Sequence, residues 1–160
     1  WGSNEELAAF EKALGARFAS YVKTDWLPVP GERVEDDILI KADKNPNRAG
    51  ALARFPALPV DPRAAFPADC DLVLVWGEGF GADRLPSGAK VIRLDAWRHA
   101  DNAHADVFLP ISVQTERSGH YTNFAGVVSP FEACFAKPPG VADAETLFAA
   151  LALPLLVEAT

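Results

Sequence analysis

Apolar positions recur along the chain in two rhythms, one helical and one strand-like. Leu7, Phe10 and Leu14 fall at i, i+3 and i+7 and draw one apolar stripe on a helix. Ser3 and Glu6, three residues apart at its start, form a capping box, and Gly15 behind Leu14 suits a left-handed C-terminal cap. Residues 18–22 read as a strand. Leu72-Val73-Leu74-Val75-Trp76 is an unbroken apolar run, as expected of a strand covered on both faces in a parallel sheet. Lys90-Val91-Ile92-Arg93-Leu94 predicts a second strand, and Asp106-Val107-Phe108-Leu109 a short third. Only about a dozen residues separate the first two, the minimum for a parallel crossover, so the crossover helix has room for one or two turns. Asp143 predicts the cap of a final helix with Leu147, Phe148 and Leu151 on its buried face, and Pro154 predicts its end.

Between these regular parts the pattern dissolves. Residues 24–67 hold Pro28, Pro30, Pro46, Pro56, Pro59, Pro62 and Pro67 with no sustained periodicity. This Pro-rich stretch reads as an irregular excursion with short helices near 36–40 and 48–54. A structureless loop of that length is uncommon in a compact domain, so Ile38, Ile40, Leu52 and Phe55 are expected to pin it to the body. Trp26, Leu27 and Pro28 make an apolar knot there, either a plug over the core or a contact surface. The elements add up to one α/β domain over residues 1–160. It has a small, mostly parallel sheet flanked by helices, Rossmann-like, with long irregular loops and a C-terminal helix.

Charge narrows the classes of partner. The chain carries 15 Lys+Arg against 22 Asp+Glu, a net charge of −7, so a basic patch for nucleic acid or anionic lipid is not expected. Its 49% of hydrophobic residues suits a globular fold and argues against disorder. No window approaches the roughly 18 apolar residues of a membrane span, and no signal peptide opens the sequence, so membrane insertion is not expected either. Cys70 and Cys134 cannot build a disulfide framework and read as free thiols of the cytosol. Met is absent and Trp1 comes first, which suggests a piece of a longer chain.

Candidate chemistry is sparse. Gly77-Glu78-Gly79-Phe80-Gly81 follows a buried strand, where glycines let backbone amides cradle a phosphate. The dinucleotide fingerprint requires G-x-G-x-x-G opening a full helix, whereas here the spacing is G-x-G-x-G and Pro86 follows closely. A plain strand-to-loop turn is the competing reading. His99, His104 and His120 with Cys70 and Cys134 show neither C-x-x-C nor H-x-x-x-H spacing, so metal ligation is not expected. Ser118-Gly119-His120 lacks a nucleophile elbow, and Asp36-Asp37 reads as a helix start. The stretch 115–126 reads as an ordered, tightly turned loop.

That loop also carries a resemblance. Ala105-Asp106-Val107-Phe108-Leu109-Pro110, followed by Glu116, Gly119, Asn123 and Gly126, resembles the ADVVLP and E-x-x-G-T-x-x-N-x-E-G-R pattern of molybdopterin oxidoreductases. Asp37-Ile38-Leu39-Ile40-Lys41-Ala42-Asp43-Lys44-Asn45-Pro46-Asn47, with Gly50, resembles one branch of them. That branch is the large iron–sulfur subunit of NADH:quinone oxidoreductase, respiratory complex I. Ser3-Asn4-Glu5-Glu6-Leu7 and Pro138-Pro139-Gly140 fit the same branch. The resemblance covers most of the chain, apart from residues 26–35 and 56–69.

Departures from the family pattern point to a domain without a cofactor. Asp95, Trp97, Ala105 and Asp106 keep the register of a D-x-F-x-T-E-T-A segment, but its T-E-T positions are His99, Ala100 and Asp101. The E-G-R positions are Ala125, Gly126 and Val127, so an Arg suited to a bidentate phosphate pair is absent from that place. The resemblance therefore implies a non-catalytic domain with no metal and no catalytic residue, scaffolding in the peripheral electron-transfer arm. Its partners would be the other subunits of that arm, on the cytoplasmic face of the inner membrane. Iron–sulfur clusters would belong to the rest of the parent polypeptide, because two distant cysteines cannot hold a four-ligand cluster. The alternative is a domain that binds a pterin nucleotide, molybdopterin guanine dinucleotide, in a molybdenum oxidoreductase of the formate dehydrogenase type. Its binding residues would be Gly77, Gly79, Asp95, Glu116, Gly119, Asn123 and Gly126. Under the first reading, residues 116–126 are structural, with Asn123 buried and His120 facing solvent.

Overall fold

The computed structural model describes residues 2–14, 18–23, 36, 38, 45–59, 61–77 and 81–157, with backbone alone at 101 and 153–157. Helix α1 (Asn4–Leu14) begins as its capping box requires. The Ser3 N–H donates to Glu6 Oε2 (2.8 Å), and the Glu6 N–H donates to Ser3 Oγ (3.2 Å). A five-residue helix, α2 (Arg48–Leu52), follows in the Pro-rich stretch. Strands β1 (Leu72–Trp76), β2 (Lys90–Asp95) and β3 (Val107–Pro110) form a parallel sheet in that order. Their register pairs Val75 with Arg93, and Arg93 with Phe108. Among its described residues the crossover from β1 to β2 contains one 3-10 turn, Ala82–Arg84, in keeping with its short length.

The two faces of the sheet are covered differently. Leu74, Trp76, Ile92, Leu94 and Leu109 meet Leu14 of α1 and Phe148 of the C-terminal helix α3 (Ala144–Val157). Alternate positions Val73, Val75 and Val91 meet Leu85, Phe66 and Cys70, which come from loops and 3-10 turns. Both faces of the central run are thus packed, as its unbroken hydrophobicity predicts. Four rings join the helices to the sheet. Phe10 lies 5.5 Å from Phe55, 6.0 Å from Trp76 and 5.1 Å from Phe148, centroid to centroid. A second, antiparallel sheet is the hairpin β4 (Gly119–Thr122) and β5 (Val128–Phe131). Among the described residues no helix is long and apolar enough to cross a membrane.

Several local expectations need correction. The 18–22 strand reduces to one parallel bridge, Val22 with Ala57. Pro56 and Pro59 flank that partner and supply no N–H, so the ladder cannot extend. The turned loop at 115–126 is instead a 3-10 turn, Gln114–Glu116, running into the β4–β5 hairpin. Helix α3 passes Pro154, since a proline removes one hydrogen bond and need not stop a helix. The Asp143 carboxylate turns from that helix to the Ser112 hydroxyl (2.8 Å) and Lys137. Phe55 pins the Pro-rich stretch as expected, but Leu52 lies on the outer side of α2, and Ile38 is 82% exposed. The Ile38 N–H closes a local turn onto Asp36 Oδ1 (2.9 Å), which holds it away from the core. Of the expected 36–40 helix only residues 36 and 38 are described, and neither is helical; Gly15, Ile40 and the Trp26 knot lie outside the described residues.

Candidate functional site

Residues from three segments of the family resemblance meet where α1, α2 and β4 come together. Asn47 is buried with φ 61° and ψ 20°, a left-handed conformation that asparagine tolerates. Its Nδ2 donates to the Gly2 carbonyl (2.8 Å), and its Oδ1 accepts from the Thr122 N–H (2.7 Å). Asn4 exchanges hydrogen bonds with the Thr122 hydroxyl (3.0 and 3.3 Å). A Cβ at Gly50 would lie 2.3 Å from Asn47 Oδ1 and 2.5 Å from Asn4 Oδ1, so only glycine fits there. Gly119 is crowded in the same way: a Cβ would stand 2.9 Å from both Ser3 Cβ and Glu5 Oε2.

Two neighbouring glutamates clamp this junction. Glu5 accepts the His120 N–H at Oε2 (3.0 Å) and meets His120 Nδ1 at Oε1 (2.6 Å). Burial pushes its carboxyl up, but these bonds outweigh that and hold it below the usual range. Glu6 is buried and lies 3.2 Å from Arg117 Nη1. Burial lifts its carboxyl above the usual range, against the pull of Arg117 and the Ser3 N–H. The same Arg117 Nη1 donates to the Ser112 carbonyl (2.6 Å). The contacts therefore run from α1 through the turn after β3 to Asp143 at the foot of α3.

The carboxyl ends of the parallel strands form the second candidate, the edge where open α/β sheets place ligands. Gly77 follows β1 with φ 88°. Its carbonyl accepts from Arg93 Nη2 (3.2 Å), and Arg93 Nε lies 3.6 Å from Asp95 Oδ2. Asp95 also accepts the Ala96 N–H (2.7 Å) and faces His99 Nε2 (3.4 Å) and Asn102 Nδ2 (3.5 Å). The Arg93 side chain is 0% exposed, whereas Trp97 beside this cluster is 69% exposed.

Of the residues singled out from the sequence, Gly77 and Asp95 come together here through Arg93. Gly79 lies outside the described residues. Glu116 accepts the Val113 N–H (3.1 Å) and shapes the turn after β3. Asn123 and Gly126 meet at the hairpin tip, away from Gly119 at its base. There Asn123 Oδ1 accepts from the Ala125 and Val127 N–H groups (2.9 and 3.0 Å), and Gly126 takes φ 79°. Asn123 is exposed rather than buried, because both amides it caps lie in an exposed turn. His120 is half exposed as expected, yet bound to Glu5.

Arg93, Asn47 and Arg117 were not foreseen. The signal for Arg93 was its charge inside an apolar run; for Asn47 and Arg117 local sequence offers none. Among the described residues no group of three or more His, Cys, Asp and Glu stands together as a metal site. Cys70 is half-buried and Cys134 exposed. No protein-family model matches this chain, and no curated protein matches it either.

Proposed function

We propose that this chain is a non-catalytic structural domain of the large iron–sulfur subunit of NADH:quinone oxidoreductase, scaffolding in its peripheral arm on the cytoplasmic face of the inner membrane. One observation carries the reading. The polar residues of the resemblance, Asn4, Glu5, Glu6 and Asn47, are spent on the protein's own backbone and side chains. Gly50 and Gly119 sit where those contacts leave no room for a side chain. Such residues serve the fold, and a kept fold with its polar groups turned inward suits a scaffold.

The other reading, a pterin-nucleotide domain, draws on Gly77 and Asp95 at the carboxyl ends of parallel strands. The residues there do not fit a diphosphate. Arg93 is fully buried against Asp95 and the Gly77 carbonyl, and Arg117 is taken up by Glu6 and the Ser112 carbonyl. Each cation already faces a carboxylate, which would repel a dianion placed beside it.

Tagging the chromosomal gene and purifying the tagged protein from detergent-solubilised membranes tests the first reading. NADH:quinone oxidoreductase activity should follow the tag; a tagged protein recovered without that activity rejects the reading. Guanine nucleotide tests the second. A ligand held at 100 times its Kd adds about 2.7 kcal/mol to folding stability, which a melting curve detects easily. No rise in melting temperature is expected with GMP or GDP at millimolar concentration.

A further inference from the structure

The turn after β2 displays a tryptophan on a fixed base. Asp95 and Asn102 are 7% and 3% exposed. Asp95 Oδ1 accepts the Ala96 N–H (2.7 Å), and Asn102 Nδ2 donates to the Trp97 carbonyl (2.6 Å). Asn102 Oδ1 accepts the His99 N–H (3.0 Å). Buried polar groups thus hold the backbone on both sides of Trp97, yet its side chain is 69% exposed. A single exposed apolar residue is ordinary on a surface, but a large ring on a backbone already fixed loses little freedom when a partner covers it. Arg98 follows, exposed, with its guanidinium over the Phe108 ring, 4.3 Å from the centroid. Among the described residues no carboxylate pairs with Arg98; the Asp95 carboxylate faces Arg93 and His99 instead.

We propose that Trp97 and Arg98 form a docking surface for an acidic segment of another protein chain, the indole taking an apolar side chain and the guanidinium a carboxylate. Tryptophan and arginine are the residue types that most often carry the binding energy of an interface. A ring beneath the guanidinium fixes its plane and leaves its N–H edge for a carboxylate, which that planar fork matches in a bidentate pair. Charge complementarity selects the occupant: a basic segment would meet a like charge at Arg98, whereas an acidic one meets an opposite charge. The net charge of −7 over the whole chain does not oppose this, because exposed charges more than about 8 Å away are largely screened at physiological ionic strength. Naming the other chain as a neighbouring subunit of the peripheral arm rests on the reading above; the surface itself does not.

Photo-cross-linking in cells that carry the tagged chromosomal gene tests it. Trp97→p-benzoylphenylalanine places the probe at the surface, and irradiation precedes solubilisation. The expected product joins a different polypeptide, and mass spectrometry places the junction in a segment with Asp or Glu beside it. Adding Arg98→Glu, which reverses the charge of an exposed side chain, should cut the yield about tenfold or more while the melting temperature of the protein stays nearly unchanged. A cross-link confined to the same polypeptide or to a second copy overturns the proposal. So does a basic or uncharged partner segment, a yield indifferent to Arg98→Glu, or no cross-link at all. A cross-link to an acidic segment of a protein outside NADH:quinone oxidoreductase supports the docking surface and rejects the parent complex, so the two ideas fail separately.

Discussion

Asn47 and Asn123 are asparagines in two motifs of the same resemblance, and the structure gives them unequal tasks. Asn47 is buried and serves partners 45 and 75 positions away in sequence, the Gly2 carbonyl and the Thr122 N–H. Its loss would leave both unpaired in the interior, so Asn47→Ala should cost about 2–3 kcal/mol. Asn123 caps two amides of an exposed turn that water can also reach, so Asn123→Ala should cost about 0.5–1 kcal/mol. Urea unfolding of the two variants decides it, and a reversed order of costs would reject this account of the junction. The difference was not legible in the sequence. Both residues read alike beside their glycines, because a side chain that reaches a distant backbone leaves no local periodicity. Glycine constraints were more legible. Gly119 and Gly126, both part of the resemblance, meet demands typical of glycine: a Cβ at Gly119 would stand 2.9 Å from Ser3 Cβ, and Gly126 takes φ 79°.

At the level of elements, hydrophobic continuity was the reliable signal. The three parallel strands, α1 and α3 appear where apolar runs or helical stripes placed them, since each buries a face that only one backbone geometry can present. The β4–β5 hairpin escaped notice because its strands are short, hold Gly119, His120, Ser129 and Pro130, and bury little. The Asn123 N–H donates to the Val127 carbonyl, so odd-numbered residues of β5 face β4 and Pro130 points outward. A proline there removes a donor from the free edge and discourages strand addition to the hairpin.

The elements are joined by carboxylates whose proton affinities move in opposite directions. Burial raises Glu6 above its unfolded value, so its contribution, measured against glutamine, is full below the ordinary carboxylate range and is lost as pH rises through the raised value. For Asp143 burial pushes upward, but Lys137 and Ser112 outweigh it and lower the carboxyl. Its contribution is present above the unfolded value and is lost as pH falls through the depressed one. Urea midpoints between about pH 3 and 7 should therefore show the Glu6→Gln penalty shrinking and the Asp143→Asn penalty growing as pH rises. Parallel trends in the two variants would contradict this assignment.

At the scale of the whole molecule, the question is whether these parts unfold together. Phe10 makes the strongest case that they do. It stands on α1, yet its ring meets Phe55 beyond α2, Trp76 on β1 and Phe148 on α3. Trp76 and Phe148 also touch each other, 4.9 Å between centroids, so the cluster closes on itself. Every element on that face of the sheet thus depends on one side chain, while the opposite face leans on loops through Leu85 and Phe66. Phe10→Ala would remove the central ring and leave a cavity among three others, at a cost of about 3–4 kcal/mol. That is a large fraction of a typical folding stability. Because the ring is shared, helix and sheet should lose it jointly. Far-ultraviolet circular dichroism and tryptophan fluorescence should report one coincident transition in both the parent and the variant, shifted to lower urea in the variant. If fluorescence moved early and the helical signal stayed, α1 and α3 would form a unit separate from the sheet, and the Phe10 cluster would not be what binds the molecule into one domain.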